Sequence, residues 1–156
     1  MSSNNLLTSE QAREIQEQLF ATYRQQTSRH IPVHLPRKDF WEMVKRLLTT
    51  LDLQIHGMIR KHGADLRVQN EQKRQANVRH IASELARRRM VAMMTHASSQ
   101  ALRMATNVSD VATPLPPIDW QKADAAERAL YNAIEKEMDK FKMTIGWREM
   151  QDGLRG

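Results

Sequence analysis

Apolar residues recur at intervals of three and four along most of the chain, the spacing of one face of an α-helix. Thr8 and Gln11 have the spacing of a capping box and place the first helix start at Thr8. Ala12, Ile15, Leu19 and Tyr23 form its apolar stripe. Residues 28–36 break the pattern, because Pro32 and Pro36 push the residues before them toward extended backbone. A second helix follows Pro36 and carries Phe40, Val44, Leu47, Leu51, Ile55 and Met58, with the bulk of Phe40 and Trp41 at its start. Lys61-His62-Gly63-Ala64 reads as a turn. A long third helix runs from about residue 65 to about residue 104. Its opening turns past Leu66 are polar, from Gln69 to Gln75, so that portion is expected to project from the core; beyond Val78 the helix turns apolar. Residues 107–117 form a linker stiffened by Pro114, Pro116 and Pro117. The last helix opens near Asp124, spaced as a capping pair with Glu127, and Leu130, Ile134, Met138 and Phe141 make its stripe with Tyr131 beside it. The expected fold is all-α, a bundle of four to five helices with one long central helix. Residues 1–143 make the bundle, and residues 144–156 a short tail that carries Trp147 and no β domain.

Composition agrees with helix. Gly and Pro number five each, and aromatic residues are few. There is no Cys, which excludes disulfides and thiolate metal sites and fits a reducing cytoplasm. No apolar run approaches the roughly 18–20 residues of a membrane span, and the N-terminus has no signal-peptide core. A soluble, cytoplasmic protein with no membrane contact is expected.

The net charge of +6 is unevenly placed. Residues 60–103 hold ten Lys/Arg against Asp65, Glu71 and Glu84, a net of +7; the remaining fourteen bases and fifteen acids leave −1. Within that basic segment, Arg87-Arg88-Arg89 interrupts an apolar stretch. Successive helical residues step by about 100°, so the three cannot share a face. With Leu85 as origin, Val78, Ile81 and Ala92 fall in one stripe, and Ala82, Ala86, Met90, Met93, Ala97 and Met104 in an adjoining one. Arg87 then faces solvent and Arg88 flanks the first stripe. Arg89 falls between the two stripes, where a charge must be paired and hydrogen-bonded.

Catalytic and metal patterns are missing. Pro32 separates His30 from His34, and His80 with Glu84 supplies two ligands rather than a site. The chain contains no His-Glu-x-x-His, no Glu-x-x-His, no Gly-rich phosphate loop and no Gly-x-Ser-x-Gly. The ten methionines suit core filling or an adaptable interface. No enzymatic activity, cofactor or metal is expected.

Three motifs occur in order. Leu35-Pro36-Arg37-Lys38-Asp39-Phe40-Trp41-Glu42-Met43-Val44 opens the second helix. Leu85-Ala86-Arg87-Arg88-Arg89-Met90-Val91-Ala92-Met93 lies in the long helix, and Asp124-Ala125-Ala126-Glu127-Arg128-Ala129-Leu130-Tyr131 opens the last. Together they resemble the archaeal GINS replication-factor subunits of the type whose helical domain comes first. The resemblance covers about residues 6–142 and the helical domain alone. The family's arginine falls on Arg89; its Lys-Ile pair is replaced by Ala92-Met93, and its small β-rich domain has no counterpart.

The resemblance implies a non-catalytic scaffold subunit of a homo- or heterotetramer of GINS subunits that bridges MCM helicase to a RecJ-like protein. Phe40, Trp41, Leu85, Arg89, Met90, Met93, Leu130 and Tyr131 are the expected core and subunit-interface residues. The alternative is a stand-alone basic helical module binding nucleic acid, with Arg74, Arg79 and Arg87 as its candidate contacts. The aromatics oppose that alternative, because they sit on apolar stripes away from the basic residues and offer no stacking platform.

Overall fold

The computed structural model describes residues 6–27, 29–103 and 116–152. They form α1 (Ser9–Thr27), α2 (Phe40–His62), α3 (Leu66–Arg103), α4 (Ala125–Ile145) and the short α5 (Trp147–Asp152), with a single 3₁₀ turn at Trp120–Lys122. No strand occurs among the described residues. The fold is the expected all-α bundle around one long central helix. At about 1.5 Å per residue the 38 residues of α3 span about 57 Å, and α1, α2 and α4 all pack against it.

The boundaries follow from local chemistry. At the start of α1, Thr8 N donates to Gln11 Oε1 and Gln11 N donates to Thr8 Oγ1, a reciprocal capping box. Gly63 ends α2 at φ 63°, a conformation that a Cβ makes costly. Gly146 does the same for α4 at φ 75° and donates to the carbonyls of Lys142 and Met143. The linker at residues 107–117 lies outside the described residues except for Pro116 and Pro117.

The core has two parts strung along α3. The larger joins Ile15 and Leu19 of α1, Phe40, Val44, Leu47 and Leu51 of α2, and Val78, Ala82 and Leu85 of α3. The smaller joins Met93 and Ala97 of α3 to Tyr131 of α4, with Ile118, Trp120 and Ile134 against them. α1 lies parallel to α3, with Gln16 beside Arg74 and Gln26 beside Arg89. α2 runs the opposite way. α4 is also parallel to α3: Arg89 meets Glu127, His96 meets Tyr131, Met138 lies by Ser98 and Lys142 by Ala101.

Two expectations need correction. The polar opening of α3 does not project. Val68 and Gln75 are buried there, and Gln75 Nε2 donates to the Leu51 carbonyl of α2. Arg74 reaches Gln16 of α1, 2.7 Å away. An amide can be buried when a backbone acceptor satisfies it, so a polar run is no proof of a solvated helix. The stripe of α4 is also rotated. Glu127 and Tyr131 are its buried residues, Ile134 and Met138 are half-buried, and Leu130 and Phe141 are exposed. Hydrogen bonds made by Glu127 and Tyr131 set the rotation and place Leu130 about 60° off the seam.

Leu85 is fully buried on α3 within the larger core. Leu85→Ala is expected to lower unfolding free energy by about 2–5 kcal/mol, through lost transfer energy and the cavity left behind. Urea denaturation measures this, and a loss under about 1 kcal/mol would contradict the packing described.

Candidate functional site

Between the two parts of the core lies a polar junction built on Arg89, which is 1% exposed. Its Nε and Nη2 donate to Glu127 Oε2 and Oε1 at 2.5 and 2.7 Å, a bidentate pair with both side chains out of water. Its Nη1 donates to Gln26 Oε1 at 2.8 Å and to the Val33 carbonyl at 2.9 Å. Four of the five guanidinium N–H donors are thereby used. Such satisfaction is what a charge taken from water requires.

The partners are held in turn. Gln26, buried at the end of α1, accepts from Val33 N at 3.0 Å and donates to the Ile31 carbonyl at 2.9 Å, so its amide fixes the α1–α2 connection. Glu127 Oε2 also accepts from Trp41 Nε1 at 2.8 Å. Asp124 caps α4 through Oδ1, accepting from Ala126 N at 2.7 Å, and its Oδ2 accepts from Trp41 N at 3.0 Å. That second bond serves the first turn of α2, whose own N-cap residue Asp39 makes no side-chain cap bond and pairs with Arg37 instead. One carboxylate therefore caps two helices. Glu127, spaced as the capping partner of Asp124, turns away to Arg89 and Trp41.

Beyond the junction, His96 is buried against α4. Its Nε2 lies 2.7 Å from the Pro116 carbonyl and its Nδ1 2.7 Å from the Tyr131 hydroxyl. A carbonyl can only accept, so Nε2 carries a proton and donates to it, while Nδ1 and the Tyr131 hydroxyl share the second bond. Burial, with Glu135 adding to it, pushes the Tyr131 phenol up from its usual value of 10.0.

The other members of the triplet lie where the helical wheel sets them. Arg87 is exposed and donates to Glu84 Oε2 at 2.6 Å, a bond that holds the Glu84 carboxyl below the usual range. Arg88 is half-buried, its guanidinium 5.9 Å from the centre of the Tyr23 ring and 3.9 Å from Glu84. The remaining candidate nucleic-acid contacts are also engaged, Arg74 with Glu71 at 2.5 Å and Arg79 with Asp52 at 3.2 Å. Among the expected core and interface residues, Phe40, Leu85, Arg89, Met93 and Tyr131 are buried and Trp41 is half-buried. Met90 and Leu130 are not core: they are 45% and 37% exposed. No group of three or more potential metal ligands occurs among the described residues.

Glu127, Asp124, Gln26 and His96 were not singled out as site residues by sequence. A signal for Gln26 exists, since Ile15, Leu19, Thr22 and Gln26 continue the buried face of α1 at intervals of four, three and four. His96 carries no comparable signal. Compared with protein-family models, with curated proteins and with solved structures, the chain matches none.

Arg89→Ala and Glu127→Ala each leave one buried charge without its partner, and each is expected to cost about 3–5 kcal/mol in chemical denaturation. Arg89→Met combined with Glu127→Leu is expected to recover most of that loss. Arg87→Ala is expected to leave the denaturation midpoint within error. Equal effects at Arg87 and Arg89 would refute the assignment of the buried arginine.

Tyr23→Phe leaves Tyr131 as the one tyrosine of the chain. Its absorbance titration at 295 nm is expected to centre above pH 10. The raised folded-state pKa favours the neutral phenol, so the stability it contributes is present below about pH 10 and is lost as pH rises through the folded pKa. A midpoint at or below 10 counts against the burial of this hydroxyl.

Proposed function

We propose that this chain is a non-catalytic scaffold subunit that assembles through helical faces, in the manner of GINS subunits of the archaeal DNA-replication machinery. The observation that carries the reading is an apolar row on the back of α3. Val91, Met94 and Leu102 are 53%, 53% and 51% exposed, and with Thr95, Ser98 and Ser99 they line a shallow groove of about 370 Å³. Their spacing of three and eight residues keeps them on one side of the helix, opposite the side that carries Leu85, Arg89 and Met93. Apolar side chains grouped on an outer face are the usual mark of a protein-binding surface.

The junction supports the same reading. The three motifs that carry the resemblance to GINS subunits supply Trp41, Arg89, Asp124 and Glu127, which bond to one another inside the fold. Kinship would account for three separated motifs serving one junction. In this reading the chain is cytoplasmic, sits in a homo- or heterotetramer of GINS subunits, and bridges MCM helicase to a RecJ-like protein. No described helix is long and apolar enough to cross a membrane. The alternative of a nucleic-acid module gains nothing from Arg74, Arg79 and Arg87, since each already faces a carboxylate.

Static light scattering tests the proposal. At micromolar concentration the chain, alone or mixed with a second subunit type, is expected to run as an oligomer that persists in high salt, as burial of apolar area predicts. Val91→Asp with Met94→Asp is expected to dissociate it without lowering the melting temperature. A monomer under every condition, or an oligomer that dissolves as salt rises, would overturn the reading.

A further inference from the structure

The helical period marks Met90, Leu130 and Phe141 as stripe residues, yet the fold leaves them 45%, 37% and 62% exposed. Their positions are related. On α3 the seam with α4 is made by Arg89, Met93, Ala97 and Ala101, and Met90, Met94, Ser98 and Leu102 each follow one of these by one position. On α4 the seam includes Tyr131 and Lys142, and Leu130 and Phe141 each precede one of these by one position. One position turns a side chain by about 100°. The two helices run parallel and face each other, so a forward step on α3 and a backward step on α4 turn to the same side of the seam. The exposed apolar residues of both helices therefore share one face, two helices wide and continuous with the Val91–Met94–Leu102 row.

The chemistry of this face is that of an unfinished core. From Met90 to Leu102, α3 contains no Asp, Glu, Lys or Arg, and Glu137 is the charged residue that the same reckoning places on this side of α4. At roughly 150–250 Å² for a fully exposed large side chain, Met90, Val91, Met94, Leu102, Leu130 and Phe141 present about 450–750 Å² of apolar surface. That is most of the about 800 Å² that each side of a stable interface buries. The face also carries a knob and a hole. Thr95, Ser98 and Ser99 give the α3 groove a stretch of small side chains, and Phe141 stands out from α4. Met138 lies by Ser98 and Lys142 by Ala101, so Phe141 stands at the height of that groove within its own copy.

We propose that a second copy of the chain covers this face, with Phe141 of each copy seated in the α3 groove of the other. A two-fold axis along the helices lays α4 of one copy over α3 of the other at equal height, so each knob meets its hole without sliding. Glu137 then faces the hydroxyls of Thr95 and Ser99 across the interface. The four helices form a bundle of the ordinary kind, with the apolar rows inside. This pairing rests on the scaffold reading and deepens it by naming the first partner as a second copy.

The chain has no Cys, so Ser98→Cys and Glu137→Cys each introduce a single thiol and leave Phe141 in place. The two variants, one of them ¹⁵N-labelled, are mixed at micromolar concentration and mildly oxidised. The expected product is a disulfide dimer joining one of each, in several-fold excess over dimers of like variants. Phe141→Ala removes the knob, and Thr95→Trp fills the hole. Both positions are exposed, so helicity by circular dichroism is expected to be unchanged. Each variant is expected to raise the dimer dissociation constant, read by sedimentation equilibrium, by about tenfold or more. A monomeric chain, like-with-like cross-links in equal yield, or unchanged dissociation constants in both variants would overturn the pairing. An oligomer that forms only with a second subunit type also overturns it and leaves the scaffold reading standing. A cross-linked dimer that recruits no further subunit supports the pairing and counts against the tetramer.

Discussion

Taking a guanidinium out of water costs several kcal/mol even after relaxation, and an isolated buried Arg89 would be intolerable. The surroundings of that residue offset the cost. Glu127 supplies the opposite charge, while the Gln26 amide and the Val33 carbonyl accept from two further N–H groups. To be in reach, these groups must come from α4, from the end of α1 and from the α1–α2 connection. The ion pair thus dictates the relative placement of segments that share few apolar contacts. Its position along α3, after Leu85 and before Met93, makes it the seam between the two parts of the core. Apolar packing alone tolerates sliding, whereas a bidentate pair with two further hydrogen bonds accepts one register.

Much of this was legible from residue spacing. The helical period placed α1 to α4 and located Arg89 between two apolar stripes, because three successive arginines cannot occupy one face. The capping box at Thr8 and the cap at Asp124 could be read for the same reason: each depends on residues a few positions apart. What escaped was non-local. Nothing near Asp124 announces that its second oxygen serves Trp41, 83 positions away. Glu127 looks like a capping partner by spacing and becomes an ion-pair partner through tertiary context. The opening of α3 reads as solvated because its polar residues are counted without their acceptors, and the Leu51 carbonyl that receives Gln75 is invisible to periodicity.

The surface divides in a way that composition hides. Three exposed arginines of the segment with the excess of positive charge each meet a carboxylate, Arg74 with Glu71, Arg79 with Asp52 and Arg87 with Glu84. Exposed pairs of this kind contribute little to stability, yet they lower the field that the segment presents to an approaching anion. The apolar back of α3 has no such counterpart within the described chain. The contrast moves attention from the basic residues, which are numerous, to the few exposed methionine, valine and leucine side chains between them.

Asp124 caps α4 with one oxygen and the first turn of α2 with the other. Helix ends ordinarily fray separately, each at its own small free energy, because each has its own cap. Here the two ends draw on a single side chain, so opening one withdraws the cap from the other. Amide protons at the start of α2 and at the start of α4, far apart in the chain, therefore belong to one cooperative unit.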